Sequence, residues 1–365
     1  MVDGTTIEID TAEATPAREQ ANSKGLQLDP RPLLDATDGQ VDIKKLETLS
    51  GQSIVHPRQF DRRTVVDLCR TAAVLEAANV ETIKPLDGKI AITAFFEAST
   101  RTRLSFESAV LRLDGKVLSV PDGRVTGVAK GESLADIGEM FNTYGDVVIM
   151  RHPDTGSVDE IRNNLDLPLI NAGNGSGHHP TQALLDWYAL LKWRPPLASS
   201  DCPTNQRIHL GIVGTPGSMR AVKSFLGLSL LFVGAIDKIT IVSEMADPVG
   251  LDLESAIEDC PVPVEVTNDV QEVLGELDVI YINSIAFLGD SYRELDSRFK
   301  LQSDSDLKRD AVIMHPLARR DELDTSLDAT PHNMYFAQAA GAVFLRQALL
   351  IAVLGRLDKL AELAA

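Results

Sequence analysis

Two arginines stand at the start of a predicted helix in the segment FFEASTRTRLSFE. Ser99 and Thr100 follow an apolar run, and Arg101 and Arg103 come directly after them. A helix N-terminus already carries about half a positive charge and unpaired N–H groups, so cations there are unfavourable unless an anion binds. Hydroxyls, N–H groups and a guanidinium together suit a phosphate. On this segment alone, a serine cap followed by two solvated arginines explains the residues equally well.

Polar and charged residues also follow four further strand-like runs. They are RHP after GDVVIM, NGSGHHPTQ after LPLINAG, GTPGSMR after RIHLGIV, and HPLARR after DAVIM. In parallel α/β domains the carboxyl ends of the strands meet at one edge of the sheet, and ligands bind there. The pattern therefore favours the phosphate interpretation of the first segment and predicts a substrate site between two domains.

The composition is that of a globular protein without a metal or disulfide framework. The chain has 365 residues, a hydrophobic fraction of 44% and three cysteines with no CxxC spacing, so we expect neither zinc sites nor disulfides. Its formal net charge of −18 disfavours binding to nucleic acid or an anionic membrane, which depends on clustered lysine and arginine. We find no apolar run of about 18 residues and no signal-type segment, and we predict a cytoplasmic protein.

Apolar runs alternate with helix-like segments after the first part of the chain. The runs KIAITAFF, GDVVIMRHP, LPLINAG, RIHLGIVG, DKITIVS, LDVIYIN and DAVIMHP are rich in valine and isoleucine and are separated by helical lengths. This is typical of parallel sheets covered on both faces. The pattern predicts an α/β fold with two doubly wound parallel-sheet domains.

A break rich in proline and serine, RPPLASSDCPTN, divides the two sets of strands. We predict a first domain over residues 49–190, completed by a C-terminal helix within 333–365, and a second domain over residues 191–332. Residues 1–48 mix polar and acidic residues with no sustained period. We expect them to form an acidic extension that is flexible or packs late.

Six motifs follow one another between about Gln52 and Leu354: FFEASTRTRLSFE, KGESLAD, MRHP, HPTQALLD, HPLARRDE and YFAQAAGAVFLRQALL. Together they resemble the aspartate and ornithine carbamoyltransferases, and the aspartate branch in particular. The combination of STRTR with a later HPTQ is highly specific. The resemblance implies an active site between two domains and at a subunit interface, where the carbamoyl group of carbamoyl phosphate moves to an amine acceptor without a cofactor or metal.

The resemblance implies a role for each residue that contacts the donor substrate. The residues expected to hold its phosphate are Ser99, Thr100, Arg101 and Thr102. Arg151 and His179 are expected to hydrogen-bond the carbonyl oxygen together with Thr102, where negative charge develops during the reaction. His178 and His315 are expected to be structural.

Further residues match groups that orient the carbamoyl amino group and the acceptor. The resemblance implies that Gln182 and the backbone carbonyls of Pro316 and Leu317 orient the amino group, and that Arg220 binds the α-carboxylate of the acceptor. No side-chain base is assigned, because the departing phosphate is itself a plausible proton acceptor.

Two residues match positions that serve a neighbouring subunit in the family. Lys130 in AKGESLAD corresponds to a lysine that reaches into the adjacent active site, and Thr126 stands where a serine reaches across with it. The resemblance therefore implies a homotrimer with shared active sites.

The acceptor side departs from the family pattern. After LDVIYI, aspartate carbamoyltransferases carry an arginine that binds the side-chain carboxylate of aspartate and, two residues later, a glutamine. This chain has Ser284 and Ala286 at these positions. A charge-assisted hydrogen bond contributes about 1.5–3 kcal/mol, so we expect aspartate to bind poorly. The SMG signature of ornithine enzymes is also absent, which predicts a different acceptor held by Arg220.

A second departure lies in HPLARR, where relatives have HPLPR with a cis bond before the second proline. A non-proline cis peptide costs about 3 kcal/mol. Either the bond from Leu317 to Ala318 keeps a strained cis form, or it is trans and the backbone carbonyls of Pro316 and Leu317 move. Arg320 has no counterpart in the pattern and either supplies positive charge to the acceptor site or is solvated.

The residues suggest three classes of function. The leading prediction is a carbamoyltransferase with an acceptor other than aspartate; a true aspartate carbamoyltransferase with a compensated site is the alternative. A non-catalytic relative that keeps the phosphate site for binding is the second. The third is a dehydrogenase, in which GIVGTPGSM would be a dinucleotide-binding loop. Its spacing is not GxGxxG, however, and the acidic partner about 20 residues later is missing.

Overall fold

The chain forms two compact α/β units in the computed structural model, which describes residues 25–35, 40–78, 83–283 and 296–363. The first unit runs from residue 33 to 184 and resumes at 341, and the second comprises 185–340 together with the described residues up to 32. Both units contain a sheet in which every strand pair is parallel. The predicted fold class is confirmed.

The first unit is built on a four-stranded sheet with the order β2-β1-β3-β4. The strands are β1 (Ile90–Phe95), β2 (Lys116–Val120), β3 (Val147–His152) and β4 (Leu169–Asn174). In chain order, the helices up to β4 are α1 (Arg31–Asp35), α2 (Ile43–Glu47), α3 (Arg62–Ala77), α4 (Thr100–Arg112), α5 (Leu134–Phe141) and α6 (Ser157–Arg162). One face of β1 and β3 packs against α5 and α6 through a cluster that includes Ile92, Met150, Ile137 and Ile161.

The second unit contains a five-stranded sheet with the order β7-β6-β5-β8-β9. The strands are β5 (Ile208–Val213), β6 (Ile236–Val242), β7 (Val264–Thr267), β8 (Val279–Ile282) and β9 (Val312–Met314), and the helices between them are α8 (Arg220–Ser229) and α9 (Leu251–Glu258). Strands β5, β8 and β9 are almost fully buried. Burial from both sides explains their continuous apolar sequences.

Two long helices, α7 (Pro180–Trp193) and α10 (Tyr335–Val353), complete the described structure. Trp187 of α7 is fully buried, stacks on Phe232 at 3.7 Å between ring centroids, and donates its indole N–H to Ser229 at 3.1 Å. Among the described residues, α10 is long and apolar enough to cross a membrane by length and composition. This is weak evidence, because 67% of that apolar stretch is buried in the protein, as in the core helix of a soluble protein.

The predicted extension 1–48 is described only over residues 25–35 and 40–48. Its described leucines Leu26, Leu33 and Leu46 are buried. The backbone N–H of Leu26 also donates to the carbonyl of Asn333 at 2.9 Å. The part of the extension that the structure describes is therefore packed onto the folded chain.

α3 begins at an aspartate whose carboxylate stabilises the first turn. Asp61 accepts hydrogen bonds from the backbone N–H and the hydroxyl of Thr64, at 2.8 and 2.9 Å, and pairs with Lys45. Replacing Asp61 with alanine should lower the free energy of unfolding by about 1 kcal/mol at pH 7. Urea denaturation measures the change, and Asp61→Asn should retain most of the stability because the amide oxygen still caps the helix.

The pH dependence of the same cap has a definite sign. Burial raises the pKa of Asp61, but hydrogen bonds from Lys45 and Thr64 outweigh it and lower the pKa overall. A lowered native pKa means that ionisation of Asp61 stabilises the fold above its unfolded pKa of about 3.9. The stability difference between wild type and Asp61→Asn should therefore shrink as the pH falls below this value. A difference that grew on acidification would contradict the assignment.

Candidate functional site

The start of α4 has the features expected of an anion site. Ser99 occupies the N-cap position after β1, but its side chain makes no capping hydrogen bond. Ser99 is therefore at the predicted cap position, but its hydroxyl does not satisfy the first N–H groups. Thr100 is the exposed first residue of this 13-residue helix, and Thr102 is buried. First-turn N–H groups and adjacent hydroxyls are thus placed to bind an anion.

The two arginines of α4 have different surroundings. Arg103 pairs with Glu107 one turn later at 3.2 Å, and the same carboxylate accepts hydrogen bonds from the hydroxyls of Thr93 and Ser119. Arg101 is exposed and makes no ion pair with any residue that the structure describes. Desolvation lowers the pKa of its guanidinium. Arg103 is therefore part of a structural network, and Arg101 is the cation available to an anion.

Arg151 lies at the carboxyl end of β3, next to the end of β1. Its register partner is Phe95, so the arginine and the start of the β1–α4 connection share one sheet edge. The Arg151 guanidinium donates to Glu97 at 3.1 Å, and its side chain is only 13% exposed. The sequence interpretation did not single out Glu97, although it stands inside the same FFEASTRTR motif. Glu97 could have been identified from the sequence, because it is an acidic residue among groups that are expected to donate hydrogen bonds to an anion.

The loop between β4 and α7 brings two further predicted residues to the same edge. His179 directly precedes α7 and is buried, and its carbonyl accepts the backbone N–H of Gln182 at 3.0 Å. Gln182 is also buried. Asn174 holds the loop by accepting the N–H of His178 at 3.0 Å, and the ring of His178 contacts that of His56. His178 is engaged in local packing, as expected.

Thr126 lies between two consecutive 3-10 turns, Gly123–Val125 and Gly127–Lys130, and Lys130 is the last residue of the second turn. The Thr126 hydroxyl donates to the carbonyl of Gly123 at 2.6 Å and accepts from the N–H of Val128 at 3.3 Å. Lys130 is exposed and forms no ion pair within the described ranges. Neither side chain is hydrogen-bonded there to the residues at the ends of β1, β3 and β4.

The second unit has its own group of predicted residues at the carboxyl edge of its sheet. Arg220 is the first residue of α8, which follows β5, and it is half-buried. Pro316 and Leu317 follow β9, which lies beside β8 in the same sheet, and the bond from Leu317 to Ala318 is cis. Arg320 is exposed, and its backbone N–H donates to Glu322.

Arg319 is a structural residue, because its guanidinium binds the carboxylate of Asp328 and also donates to the hydroxyl of Tyr335. Two residues singled out by their departure from the family pattern, Ser284 and Ala286, lie outside the described residues.

Comparison with known proteins finds similarity over nearly all of the folded chain. Residues 52–192 match the family model described as "Aspartate/ornithine carbamoyltransferase, carbamoyl-P binding domain". Residues 206–353 match "Aspartate/ornithine carbamoyltransferase, Asp/Orn binding domain".

Named relatives and a solved structure show the same similarity. The aspartate carbamoyltransferase catalytic subunit of Pyrobaculum islandicum is 34% identical over 310 residues, which cover 83% of this chain and 98% of that protein. The chloroplastic aspartate carbamoyltransferase of Arabidopsis thaliana is 35% identical over 324 residues, which cover 86% of this chain and 79% of that protein. The crystal structure of aspartate transcarbamoylase from Trypanosoma cruzi in complex with carbamoyl aspartate and phosphate has a TM-score of 0.74 and 31% identity, with 85% and 98% coverage.

Proposed function

The chain belongs to the aspartate/ornithine carbamoyltransferase family, and on that premise we propose that it transfers the carbamoyl group of carbamoyl phosphate to the amine of aspartate. The single observation that carries the donor half is the start of α4. There a hydroxyl that does not cap the helix, first-turn N–H groups and an exposed Arg101 coincide. Such a group of donors suits the phosphate dianion of an acyl phosphate.

The reaction needs positioning and charge stabilisation more than a reactive side chain. The neutral amine attacks the carbonyl carbon, a C–N bond forms, and the C–O bond to phosphate breaks. Arg151, His179 and Thr102 stabilise the negative charge on the carbonyl oxygen. The α4 start stabilises the departing phosphate, which takes up the proton that the amine loses.

Aspartate is the acceptor best supported by the relatives. The similar proteins are named aspartate carbamoyltransferases, and the solved relative from Trypanosoma cruzi contains carbamoyl aspartate and phosphate. Arg220 at the start of α8 would bind the α-carboxylate, as in the family pattern. Its place after β5, at the carboxyl edge of the second sheet, suits this role.

A second acceptor is favoured by one observation from the sequence. Ser284 and Ala286 replace the arginine and glutamine that hold aspartate in the family pattern. An amine acceptor without a second carboxylate would not require these groups. This candidate predicts efficient turnover of another amino acid or small amine and slow turnover of aspartate.

Phosphate release from carbamoyl phosphate, measured with aspartate and a panel of amino acids and small amines, tests both candidates. Fast turnover with aspartate supports the first candidate and means that another group replaces the missing arginine. Fast turnover only with another amine rejects aspartate and identifies the acceptor. Binding of a phosphonate analogue without turnover of any amine would instead indicate a non-catalytic relative.

The proposal includes a homotrimer with shared active sites. Lys130 lies in an exposed turn, and its side chain forms no ion pair with any residue that the structure describes. The helix that begins with the anion site also exposes Leu104 and Leu111, with relative accessibilities of 49% and 60%, while Phe106 and Val110 on its other face are buried. An apolar helix face beside the substrate site is suited to a neighbouring subunit.

Mixed oligomers test the sharing of sites. We expect Arg101→Ala and Lys130→Ala each to keep no more than about a tenth of the wild-type activity when carbamoyl phosphate is below its KM. If each site takes Arg101 from one subunit and Lys130 from the next, dissociation and reassembly of an equal mixture should restore about a quarter of wild-type activity, because that fraction of sites receives both residues. Sedimentation should give a trimer. Failure of the mixture to exceed the two separate variants would exclude shared sites.

A further inference from the structure

The loop that follows β9 is held by a fully buried histidine and glutamate. The ring Nδ1 of His315 accepts the backbone N–H of Leu317 at 2.7 Å. Its Nε2 lies 3.0 Å from an oxygen of Glu322, and both side chains are inaccessible to solvent. Because Nδ1 accepts a hydrogen bond, it carries no proton. The ring proton is therefore on Nε2 and is donated to the carboxylate.

Glu322 connects the ring to a later part of the loop. The same carboxylate oxygen accepts the backbone N–H of Arg320 at 2.8 Å. Burial raises the pKa of Glu322, but hydrogen bonds from His315 and from backbone N–H groups outweigh it and lower the pKa. The glutamate is therefore ionised and acts as a double acceptor that fixes both ends of the turn.

The backbone of the histidine is also connected to α10 and α7 by hydrogen bonds. Its N–H donates to Gln338 at 2.9 Å, and the amide of Gln338 donates to Asp186 of α7 at 2.6 Å. Tyr281 donates to the other oxygen of Asp186 at 2.9 Å. Asp186 lies one helical turn after Gln182, so the network begins on the helix that carries a predicted substrate contact.

Because the peptide bond is planar, these contacts also fix the direction of a carbonyl. The N–H of Leu317 and the C=O of Pro316 belong to the same planar trans peptide unit and point in opposite directions. A hydrogen bond that fixes this N–H therefore fixes the direction of the Pro316 carbonyl. In the family pattern that carbonyl orients the amino group of the carbamoyl substrate.

We propose that His315 and Glu322 are positioning residues that fix the Pro316 carbonyl toward the carbamoyl amino group. The inference rests on the proposed carbamoyl transfer. It assigns a role in the reaction to the ring of His315, which was expected from the sequence to be structural. The effective group is the unprotonated Nδ1 of His315, and Glu322 maintains it by binding the proton on the opposite nitrogen. Loss of the Nδ1 contact should impair the reaction more than phosphate binding, which involves α4.

Two amide substitutions separate the functions of the two ring nitrogens. In His315→Asn the amide oxygen lies near the position of Nδ1 and still accepts from Leu317, but the contact with Glu322 is lost. In His315→Gln the longer amide reaches Glu322 and leaves the Leu317 N–H without its acceptor. We expect kcat to fall about 10- to 100-fold in His315→Gln and less in His315→Asn. The KM for carbamoyl phosphate should change little in either.

The control is His332→Gln, which alters a half-buried histidine of the second unit outside the site and should leave kcat unchanged. Melting temperatures of all variants accompany the kinetics. Equal losses of kcat in the two His315 variants, or losses that follow the melting temperature, would reduce the histidine to a structural residue. A wild type that binds carbamoyl phosphate but carbamoylates no amine would overturn the proposed function, and the positioning role with it.

A measurement on the wild-type protein avoids any risk of misfolding. Labelling the histidines with ¹⁵N allows NMR shifts to identify the tautomer of His315, assigned by comparison with His315→Asn. We expect a neutral ring with the proton on Nε2 at neutral pH. A proton on Nδ1 is incompatible with acceptance from Leu317 and would overturn the inference.

Discussion

Replacing Arg151 with alanine should lower kcat for carbamoyl transfer by about 100- to 1000-fold, the effect of losing one donor from an oxyanion site. The arginine is largely shielded from water at the carboxyl end of β3. A shielded guanidinium stabilises a developing negative charge more strongly than a solvated one does. Because the charge develops only in the transition state, the loss should fall on kcat, with a smaller change in KM. Steady-state phosphate release with the preferred acceptor measures both constants.

The partner of Arg151 adds a second expectation. Without the arginine, the carboxylate of Glu97 would remain beside the reacting group and repel negative charge. The double variant Arg151→Ala with Glu97→Gln should therefore be more active than Arg151→Ala alone. Arg162→Ala, on the exposed surface of α6 in the same unit, is the matched control and should keep wild-type activity. An Arg151→Ala enzyme with more than about a tenth of the wild-type kcat would exclude the oxyanion role.

The sequence predicted the strands that position the site because nearly all of their residues are buried. β1, β3 and β4 are buried along most of their length, and burial on both faces requires continuous apolar runs. The edge strands β2 and β7 were missed. They pair on one side only and contain exposed positions, so their sequences resemble loops. The edge strands β4 and β9 are buried and were predicted, so it is the exposed positions that interrupt the apolar run by which a strand is recognised.

The chemistry of the site was less visible where partners are distant in the chain. Arg151 and Glu97 are 54 residues apart, and no local pattern connects them. His315 and Glu322 are close in sequence, but only the path of the loop brings the ring to the carboxylate. The Arg103–Glu107 pair has the spacing of adjacent turns and could have been predicted from that spacing.

The different surroundings of the two α4 arginines predict different effects of removing them. Arg101→Ala should reduce kcat/KM for carbamoyl phosphate by about 10- to 100-fold, because a charge-assisted hydrogen bond contributes about 1.5–3 kcal/mol. Arg103→Ala should change kcat/KM less than about threefold, because its guanidinium is engaged in the half-buried ion pair with Glu107 and its loss should affect stability more than anion binding. The two variants remove the same charge from the same helix turn, so each controls for the other.

Competition by inorganic phosphate distinguishes loss of anion binding from general damage to the helix. The inhibition constant of phosphate against carbamoyl phosphate should rise in Arg101→Ala by a factor similar to the loss in kcat/KM, and it should stay near the wild-type value in Arg103→Ala. Equal effects of the two substitutions would mean that the helix N-terminus attracts the anion through its overall field alone. An unchanged phosphate constant in Arg101→Ala would remove this arginine from the phosphate site and leave Ser99, Thr100 and the backbone N–H groups to bind the donor.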